Sequence, residues 1–281
     1  MSIIAKPFGI LVVFLSFLGG FKLMGGNLAA IWHPAELVVI LGIALGAFFV
    51  SSPIHVWSST FMTIGRVFKG DRVNKRLYAE TVALLEELAR TARASGMLAL
   101  EKHVTNPGVS PIFSHYRLVM KHVALRKFIV DNFNYLLLNP PQSQNFEDHL
   151  MDQIDGIYNS MMEVPRATGK VADWLPGFGI IAAIMGVILT MTLLKGDMDV
   201  GLIGQSVGAA LVGTLAGIFF AFAFVAPFTH AVEVMNRQDR SLLEMTAAFL
   251  TAYANGLSPN LAVEIARQRI PPEYDLPRKD Y

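Results

Sequence analysis

The chain has 281 residues, of which 53% are hydrophobic and 16% charged, a composition that favours a lipid bilayer over water as its surroundings. Its net charge of +1 provides no broad basic surface for nucleic acid and no acidic excess of the kind found in disordered tails. Because the sequence has no cysteine, it excludes a disulfide framework, a thiolate metal site and a cysteine nucleophile.

Two apolar segments near the N-terminus predict the first two membrane spans. The first runs from Pro7 to about residue 24 and is interrupted only by Lys22, whose long stem can reach the lipid headgroups. No small-residue cleavage site followed by a polar domain appears, so we expect a retained span rather than a signal peptide. The second runs from Leu37 past Pro53 and contains the Gly42-x-x-x-Gly46 spacing, which permits close helix packing in membranes.

The character of the sequence changes between Arg66 and Lys170. Charges recur throughout, and no apolar stretch approaches the roughly 20 residues that a span needs. Glu86 and Arg90 lie one helical turn apart and predict an intrahelical ion pair. An amphipathic helix is predicted by apolar residues at helical spacing, namely Tyr78, Val82, Leu85, Leu88 and Ala92.

Two proline-containing strings divide this region. Asn106-Pro107-Gly108 and Asn139-Pro140-Pro141 interrupt the helical pattern and leave further helical stretches at about 111–138 and from about 146 onward. No run of alternating, turn-bounded strands competes with them. The region is therefore predicted to be a soluble, all-helical domain.

Two more apolar segments follow as a hairpin. Residues 174–194 carry no charge, and residues 200–232 carry none apart from the titratable His230, with a short polar turn between. The second segment is longer than a bilayer requires, so its helix is expected to continue beyond the membrane. We expect that helix to end near Gly256 and Pro259.

These elements predict an all-α membrane protein with four transmembrane helices, a large cytoplasmic helical insert between helices two and three, and a cytoplasmic C-terminal helix. The expected boundaries are 1–53 for the first two spans, 54–171 for the insert, 172–232 for the last two spans and 233–281 for the tail. The insert and the tail hold 20 of the 23 Lys and Arg residues. By the positive-inside rule both are cytoplasmic, and four spans then place both termini inside.

Several strings in this order resemble the MotA family of flagellar motor stator subunits, in the wider MotA/TolQ/ExbB superfamily. They are spread over nearly the whole chain: Pro34–Val38, Arg93–Glu101, Leu175–Gly179, Val212–Gly217, Pro227, and Gly256–Pro259 followed by Ala262–Glu264.

The resemblance implies a subunit of the bacterial inner membrane that turns ion flow into rotation of the flagellum. It implies a ring of five such chains around two copies of a MotB-type partner, which supplies the ion-binding aspartate and grips peptidoglycan. The spans of this chain have no mid-bilayer carboxylate of their own, because Glu36 and Asp173 lie near the expected membrane ends.

The resemblance also assigns Arg93 and Glu101 to contact with the rotor protein FliG. On a straight helix they would lie about 12 Å apart along the axis. From spacing alone they would be charges on a solvated helix face, and the family string is what favours the rotor role. Arg90 receives a secondary role, since pairing with Glu86 explains it more simply.

Coupling of ion passage to movement is assigned by the resemblance to Pro176 and Pro227, at the cytoplasmic ends of spans three and four. A proline removes a backbone donor and can bend a helix, although either could be an ordinary transmembrane proline. Asp173 is expected to receive protons at the inner mouth, or else to cap the N-terminus of its helix.

The ion pathway by resemblance includes Thr214, which would lie near the partner's aspartate, and Ala183. In sodium-driven family members a second threonine stands in span three, whereas Ile181–Ile184 has no hydroxyl here. A hard cation needs several oxygen ligands and a proton does not, so this departure favours protons. Close helix packing alone would explain the glycines beside Thr214.

Other classes of protein fit less well. An ExbB- or TolQ-like energiser of outer-membrane processes would have one span before the insert, not two. A channel built from this chain alone would need polar groups within its spans. The seven histidines show no ligand spacing, and no phosphate-binding string occurs, so we expect no metal, no cofactor and no enzyme activity. The expected partners are the MotB-type subunit, FliG and membrane lipid, without nucleic acid.

Overall fold

The computed structural model describes residues 5–69, 73–138, 143–193 and 200–276. Within these ranges all regular structure is helical, which confirms the predicted fold class. The helices in chain order are α1 (Ala5–Leu23), α2 (Pro34–Ser51), α3 (Ile54–Phe68), α4 (Lys75–Ser95), α5 (Met97–Thr105), α6 (Pro111–His115), α7 (Arg117–Lys121), α8 (Val123–Leu138), α9 (Ser143–Met161), α10 (Glu163–Leu193), α11 (Val200–Phe220), α12 (Ala226–Ala254) and α13 (Pro259–Arg267).

The chain packs as two compact units. The first, called the membrane unit below, comprises Met1–Gly70 and Met162–Val234; the second, called the polar unit, comprises Asp71–Met161 and Met235–Tyr281. This division is based on packing alone. The membrane boundaries expected at residues 53, 171 and 232 concern the lipid surroundings instead, and they stay predictions.

Four helical runs in the described part of the chain are long and apolar enough to cross a membrane. They are Ala5–Leu23, Leu28–Ser51, Asn145–Thr192 and Val207–Ala254, and each overlaps one of the four predicted spans. The expected hairpin turn at 195–199 lies outside the described residues.

The second span ends sooner than the uncharged sequence run. Helix α2 stops at Ser51, because Ser52 and Pro53 are extended, and a separate helix, α3, begins at Ile54. One side of α3 is buried at Val56 and Thr60, and the histidine Nε2 of His55 lies 2.7 Å from the Oε2 of Glu163 at the start of α10. Its apolar residues continue the uncharged run of the second span, so this amphipathic helix was not predicted.

A small apolar cluster joins α2 to the later helices of the membrane unit. Its buried members are Ile40, Ala44, Leu175, Ala182 and Ala221. Large apolar side chains on the same helices point outward, with 92% of Val50 and 57% of Ile188 exposed. An apolar exterior around a small core is the arrangement of a protein whose outer solvent is lipid.

The polar unit has the opposite organisation, with one large apolar core and a charged exterior. All five apolar residues of the predicted amphipathic helix are buried in α4, which confirms that prediction: Tyr78, Val82, Leu85, Leu88 and Ala92. The core is completed by α5, α8, α9, α13 and the part of α12 from Leu242 onward.

The insert contains more breaks than expected. The chain is non-helical at Asn106, Pro107 and Gly108, as predicted, whereas the expected break at 139–141 lies outside the described residues. The stretch 111–138 is not one helix but three, α6, α7 and α8. The Tyr116 hydroxyl between α6 and α7 donates to Glu87 of α4 at 2.6 Å, and burial, with this bond, raises the pKa of Tyr116. It therefore stays a donor throughout the physiological pH range.

The long helix α12 ends at Ala254, close to the predicted position. Gly256 adopts φ +80, the left-handed conformation that commonly follows a helix C-terminus. The Ser258 hydroxyl then accepts a hydrogen bond from the Leu261 amide at 3.3 Å and caps α13.

Candidate functional site

Helices α10 and α11 approach each other through glycines. A Cβ atom placed on Gly217 would lie 2.7 Å from the carbonyl oxygen of Leu175 and 2.9 Å from the Cα of Gly179. A Cβ on Gly179 would lie 2.9 Å from the carbonyl oxygen of Gly213. The backbones are therefore in contact, which confirms close helix packing as an explanation for Gly213 and Gly217, the glycines beside Thr214. The Gly42-x-x-x-Gly46 spacing makes no such contact with the described residues.

Two ion-pathway candidates lie at this same contact. The Cα of Thr214 is 3.2 Å from the Cβ position built on Gly179. The backbone nitrogen of Ala183 is 3.5 Å from the Cβ position built on Gly213. Both side chains are half-buried. The structure therefore brings Thr214 and Ala183 together, and of these two side chains only Thr214 has a hydroxyl.

Both candidate coupling prolines lie within long helical runs, in different local geometries. Pro176 lies inside α10, directly after the buried Leu175. Pro227 follows a single π-helical turn, Ala221–Val225, in which the Ala226 amide donates to the carbonyl of Ala221, five residues earlier. A wider turn of this kind accommodates a proline because it shifts the hydrogen-bond register past the residue that lacks a donor.

Asp173 does not cap a helix. Helix α10 begins at Glu163, ten residues earlier, so Asp173 lies in its interior and its side chain is exposed. The capping alternative is therefore wrong, because the helix extends farther toward its N-terminus than the apolar run does. The proton-receiving role stays a prediction.

The candidate rotor residues lie in the polar unit on either side of a helix break. Arg93 is in the last turn of α4 and Glu101 is in α5, and Gly96 between them has φ 82 and ψ 163. The premise of one straight helix is therefore wrong. Both side chains are exposed, and neither makes a hydrogen bond or an ion pair with any other residue in the described ranges.

Arg90 differs from these two residues because it is paired. Its Nη2 lies 2.5 Å from the Oε1 of Glu86 and donates to the Oδ1 of Asn260 at 2.9 Å. The predicted intrahelical pair is confirmed. The bond to Asn260 also links α4 to α13, so Arg90 has a structural role within the polar unit.

Gly96 is a residue that the sequence analysis passed over. Its backbone conformation belongs to a region that only glycine occupies at low cost, so alanine is expected to cost on the order of 1–3 kcal/mol. We expect Gly96→Ala to lower the Tm of the purified protein, because a Cβ strains the backbone at this φ. Gly108→Ala is the matched control, because Gly108 is open and has no positive φ. An unchanged Tm for Gly96→Ala would contradict the assigned turn.

Comparison with known proteins decides the family. A sequence model described as "Motility protein A N-terminal" matches residues 7–96, and one described as "MotA/TolQ/ExbB proton channel family" matches residues 121–245. The chain is 34% identical over 265 residues to "Chemotaxis protein LafT" of Vibrio parahaemolyticus, covering 94% of this chain and 92% of that protein. It is 32% identical to "Motility protein A" of Salmonella typhimurium, covering 93% and 88%.

The chain belongs to the motility protein A (MotA) family. It is thus a multi-pass membrane protein and a MotA-type flagellar stator subunit within a family of proton channels, not of enzymes. The match of residues 7–96 to the motility protein model disfavours an ExbB- or TolQ-like energiser.

Solved structures show that the fold is that of MotA. "Structure of C. jejuni MotAB" superposes with a TM-score of 0.77 at 20% identity, covering 96% of each chain. The flagellar MotAB stator complex from Bacillus subtilis gives a TM-score of 0.71 at 22% identity, covering 95% of this chain and 96% of that one.

Proposed function

We propose that this MotA-type subunit, together with a MotB-type partner, conducts protons across the bacterial inner membrane and converts their flow into torque on the rotor protein FliG. Five copies surround two copies of the partner, and Arg93 and Glu101 transmit the force. Arg90 supports them by holding α4 against α13. The subunit needs no cofactor and catalyses no chemical reaction.

The observation that carries this proposal is the exposure of Arg93 and Glu101 without hydrogen-bond or ion-pair partners among the described residues. Some charged side chains in the polar unit have partners, as Arg240 does with Asp155 at 2.9 Å and Glu244 at 2.8 Å. Arg93 and Glu101 are exposed and have no such partner among the described residues. Opposite charges left unpaired at one helix break are available to complementary charges on another protein.

The α10–α11 contact supports the choice of ion. Thr214 contributes one hydroxyl there and Ala183 none, whereas a sodium ion would need several oxygen ligands. A carboxylate supplied by the partner suffices for a proton. Pro176 and the π turn before Pro227 flank the buried cluster of Leu175 and Ala221, where a change at the ion site can alter helix direction.

The experiment is rotation of tethered cells from a strain that lacks this gene and any second stator, with flagellar filaments counted by microscopy. We expect full-length filaments that do not turn, with rotation restored by the gene in trans. Rotation of the restored strain should persist in sodium-free buffer and stop when a protonophore collapses the proton gradient. Missing filaments would contradict the motor role. Rotation that depends on sodium would contradict the proposal that the transported ion is a proton.

The coupling role of Pro227 predicts a specific phenotype. Alanine restores the backbone donor, so the helix no longer needs its π turn and is expected to straighten. We expect Pro227→Ala to reduce swimming speed severely while an immunoblot shows a normal amount of protein. Pro165→Ala is the control, because Pro165 lies in the first turn of α10, where a proline costs no helical hydrogen bond. Normal swimming with Pro227→Ala would remove this residue from the coupling mechanism.

The proposed orientation, with both termini in the cytoplasm of the cell, can be tested because the chain has no cysteine. We expect an impermeant maleimide to label Met24→Cys in intact cells, since Met24 follows the first span and is 87% exposed. Ser95→Cys at the end of α4 should react only after the cells are permeabilised. Labelling of Ser95→Cys in intact cells would show that the orientation is the opposite of the proposed one.

A further inference from the structure

The membrane unit contains a cavity that the motor function does not explain. It has a volume of about 610 Å³ and is bounded by the first half of α1, by α3, and by the π turn with the start of α12. Sites for small apolar ligands commonly have roughly 300–1,000 Å³. The cavity is therefore large enough to hold an organic molecule.

The walls of the cavity are mostly apolar, and the hydroxyls among them are already hydrogen-bonded within the protein. Of the described residues that line it, only Lys6, Thr60 and Thr168 have polar side chains. The Thr60 hydroxyl donates to its own helix at the carbonyl of Val56, 2.8 Å away. The Thr168 hydroxyl lies 2.8 Å from that of Thr229 and 3.0 Å from the carbonyl of Val164. Since both hydroxyls are already bonded, the interior favours an apolar occupant over water.

Lys6 gives the lining of the cavity a positive charge. It stands in the first turn of α1, where a membrane helix reaches the headgroup level, and it is partly exposed. A lysine at this level attracts an anionic headgroup, with its apolar stem against the acyl region. An apolar chamber with a cation in its lining, in a protein surrounded by lipid, matches the chemistry of an anionic phospholipid.

We propose that this cavity binds one acyl chain of an anionic phospholipid, with Lys6 contacting the phosphate. The occupant packs against Val225, Pro227 and Phe228, so it fills the space beside the π turn. Because removal of an occupant from an apolar chamber leaves its walls unsupported, the lipid stabilises the π turn before Pro227. This inference does not depend on torque or on the transported ion.

Photolabelling of the purified complex tests the proposal. The complex of this chain with its partner is reconstituted in lipid nanodiscs that contain phosphatidylglycerol with a diazirine near the end of one acyl chain. After illumination, mass spectrometry locates the adducts. We expect adducts on the cavity-facing residues Ile10, Val13, Ile64 and Phe228. Adducts confined to the outward faces of the helices would overturn the proposal, as would a cavity covered by a neighbouring subunit and free of label.

A filled cavity provides the matched comparison. A Cβ on Gly9, which lines the cavity, meets no atom within 4 Å, so Gly9→Phe can place its ring in the chamber. We expect cavity labelling to fall about tenfold, the change produced by a loss of about 1.4 kcal/mol in binding. Gly20→Phe is the control: its Cβ is equally open, and Gly20 does not line the cavity. Equal labelling of the Gly9→Phe variant and the wild type would overturn the assignment.

The headgroup is tested with the same probe on a phosphatidylcholine. We expect the wild type to be labelled more strongly by the phosphatidylglycerol probe and Lys6→Gln to lose this preference. Equal labelling of the wild type by the two probes would overturn the choice of an anionic lipid.

Discussion

Replacing Arg93 by Glu is expected to abolish torque almost completely while leaving the amount of membrane-inserted protein unchanged. The side chain is exposed and makes no hydrogen bond or ion pair with the described residues, so its reversal breaks no bond of either kind within the polar unit. Against a complementary rotor surface, however, the reversal turns attraction into repulsion, and like charges held face to face cost several kcal/mol. Glu101→Lys should act in the same way. Bead rotation on truncated filaments, with stator number followed by fluorescence, measures the effect.

Two comparisons separate this role from a general effect of charge. Lys127→Glu changes the net charge by the same amount at another exposed residue of the polar unit, and it should leave torque near normal. Arg90→Ala should lower the Tm, because it breaks the bonds to Glu86 and Asn260, and should reduce torque only partly. If the double variant Arg93→Glu with Glu101→Lys rotates like the wild type, neither residue transmits force to the rotor.

The spans and the amphipathic helix were predictable because each rests on a pattern of apolar residues along the chain. The four apolar runs and the buried face of α4 follow directly from hydropathy and period. Family strings likewise placed Thr214 and Ala183 in neighbouring helices, which the α10–α11 contact brings together.

The features that escaped prediction depend on backbone geometry at single residues. The string Arg93–Glu101 has helix formers on both sides of Gly96, and the φ of Gly96 shows that the helix breaks there. Ser95-Gly96 was the available signal, since glycine commonly follows a helix C-terminus. The π turn was signalled by Pro227 within an apolar helical run, because a missing donor must be accommodated. Helix α3 was missed because its apolar residues merge with those of the second span.

Gly217→Ala is expected to destabilise the membrane unit more than any other single methyl addition to the α10–α11 contact. The new Cβ would meet only backbone atoms, the nearest being the Leu175 carbonyl oxygen at 2.7 Å. Backbone in two long helices cannot rotate away as a side chain can, so the helices must separate. Overpacking of this kind costs about 1–3 kcal/mol or more. Separation would also displace Thr214 from Gly179, so we expect a lower Tm for the detergent-purified complex together with a loss of motility.

Two other glycines of the same helix pair provide matched controls for this prediction. The Cβ position of Gly186 lies 3.6 Å from the Cβ of Ala210, an ordinary contact, so Gly186→Ala should change the Tm little. Gly208 has no neighbour within 4 Å, and Gly208→Ala should be neutral or slightly stabilising, since alanine favours a helix over glycine by about 1 kcal/mol. The three Tm values should therefore rank Gly217→Ala far below the other two. If they coincide, α10 and α11 do not touch at Gly217, and the placement of Thr214 beside Ala183 fails with that contact.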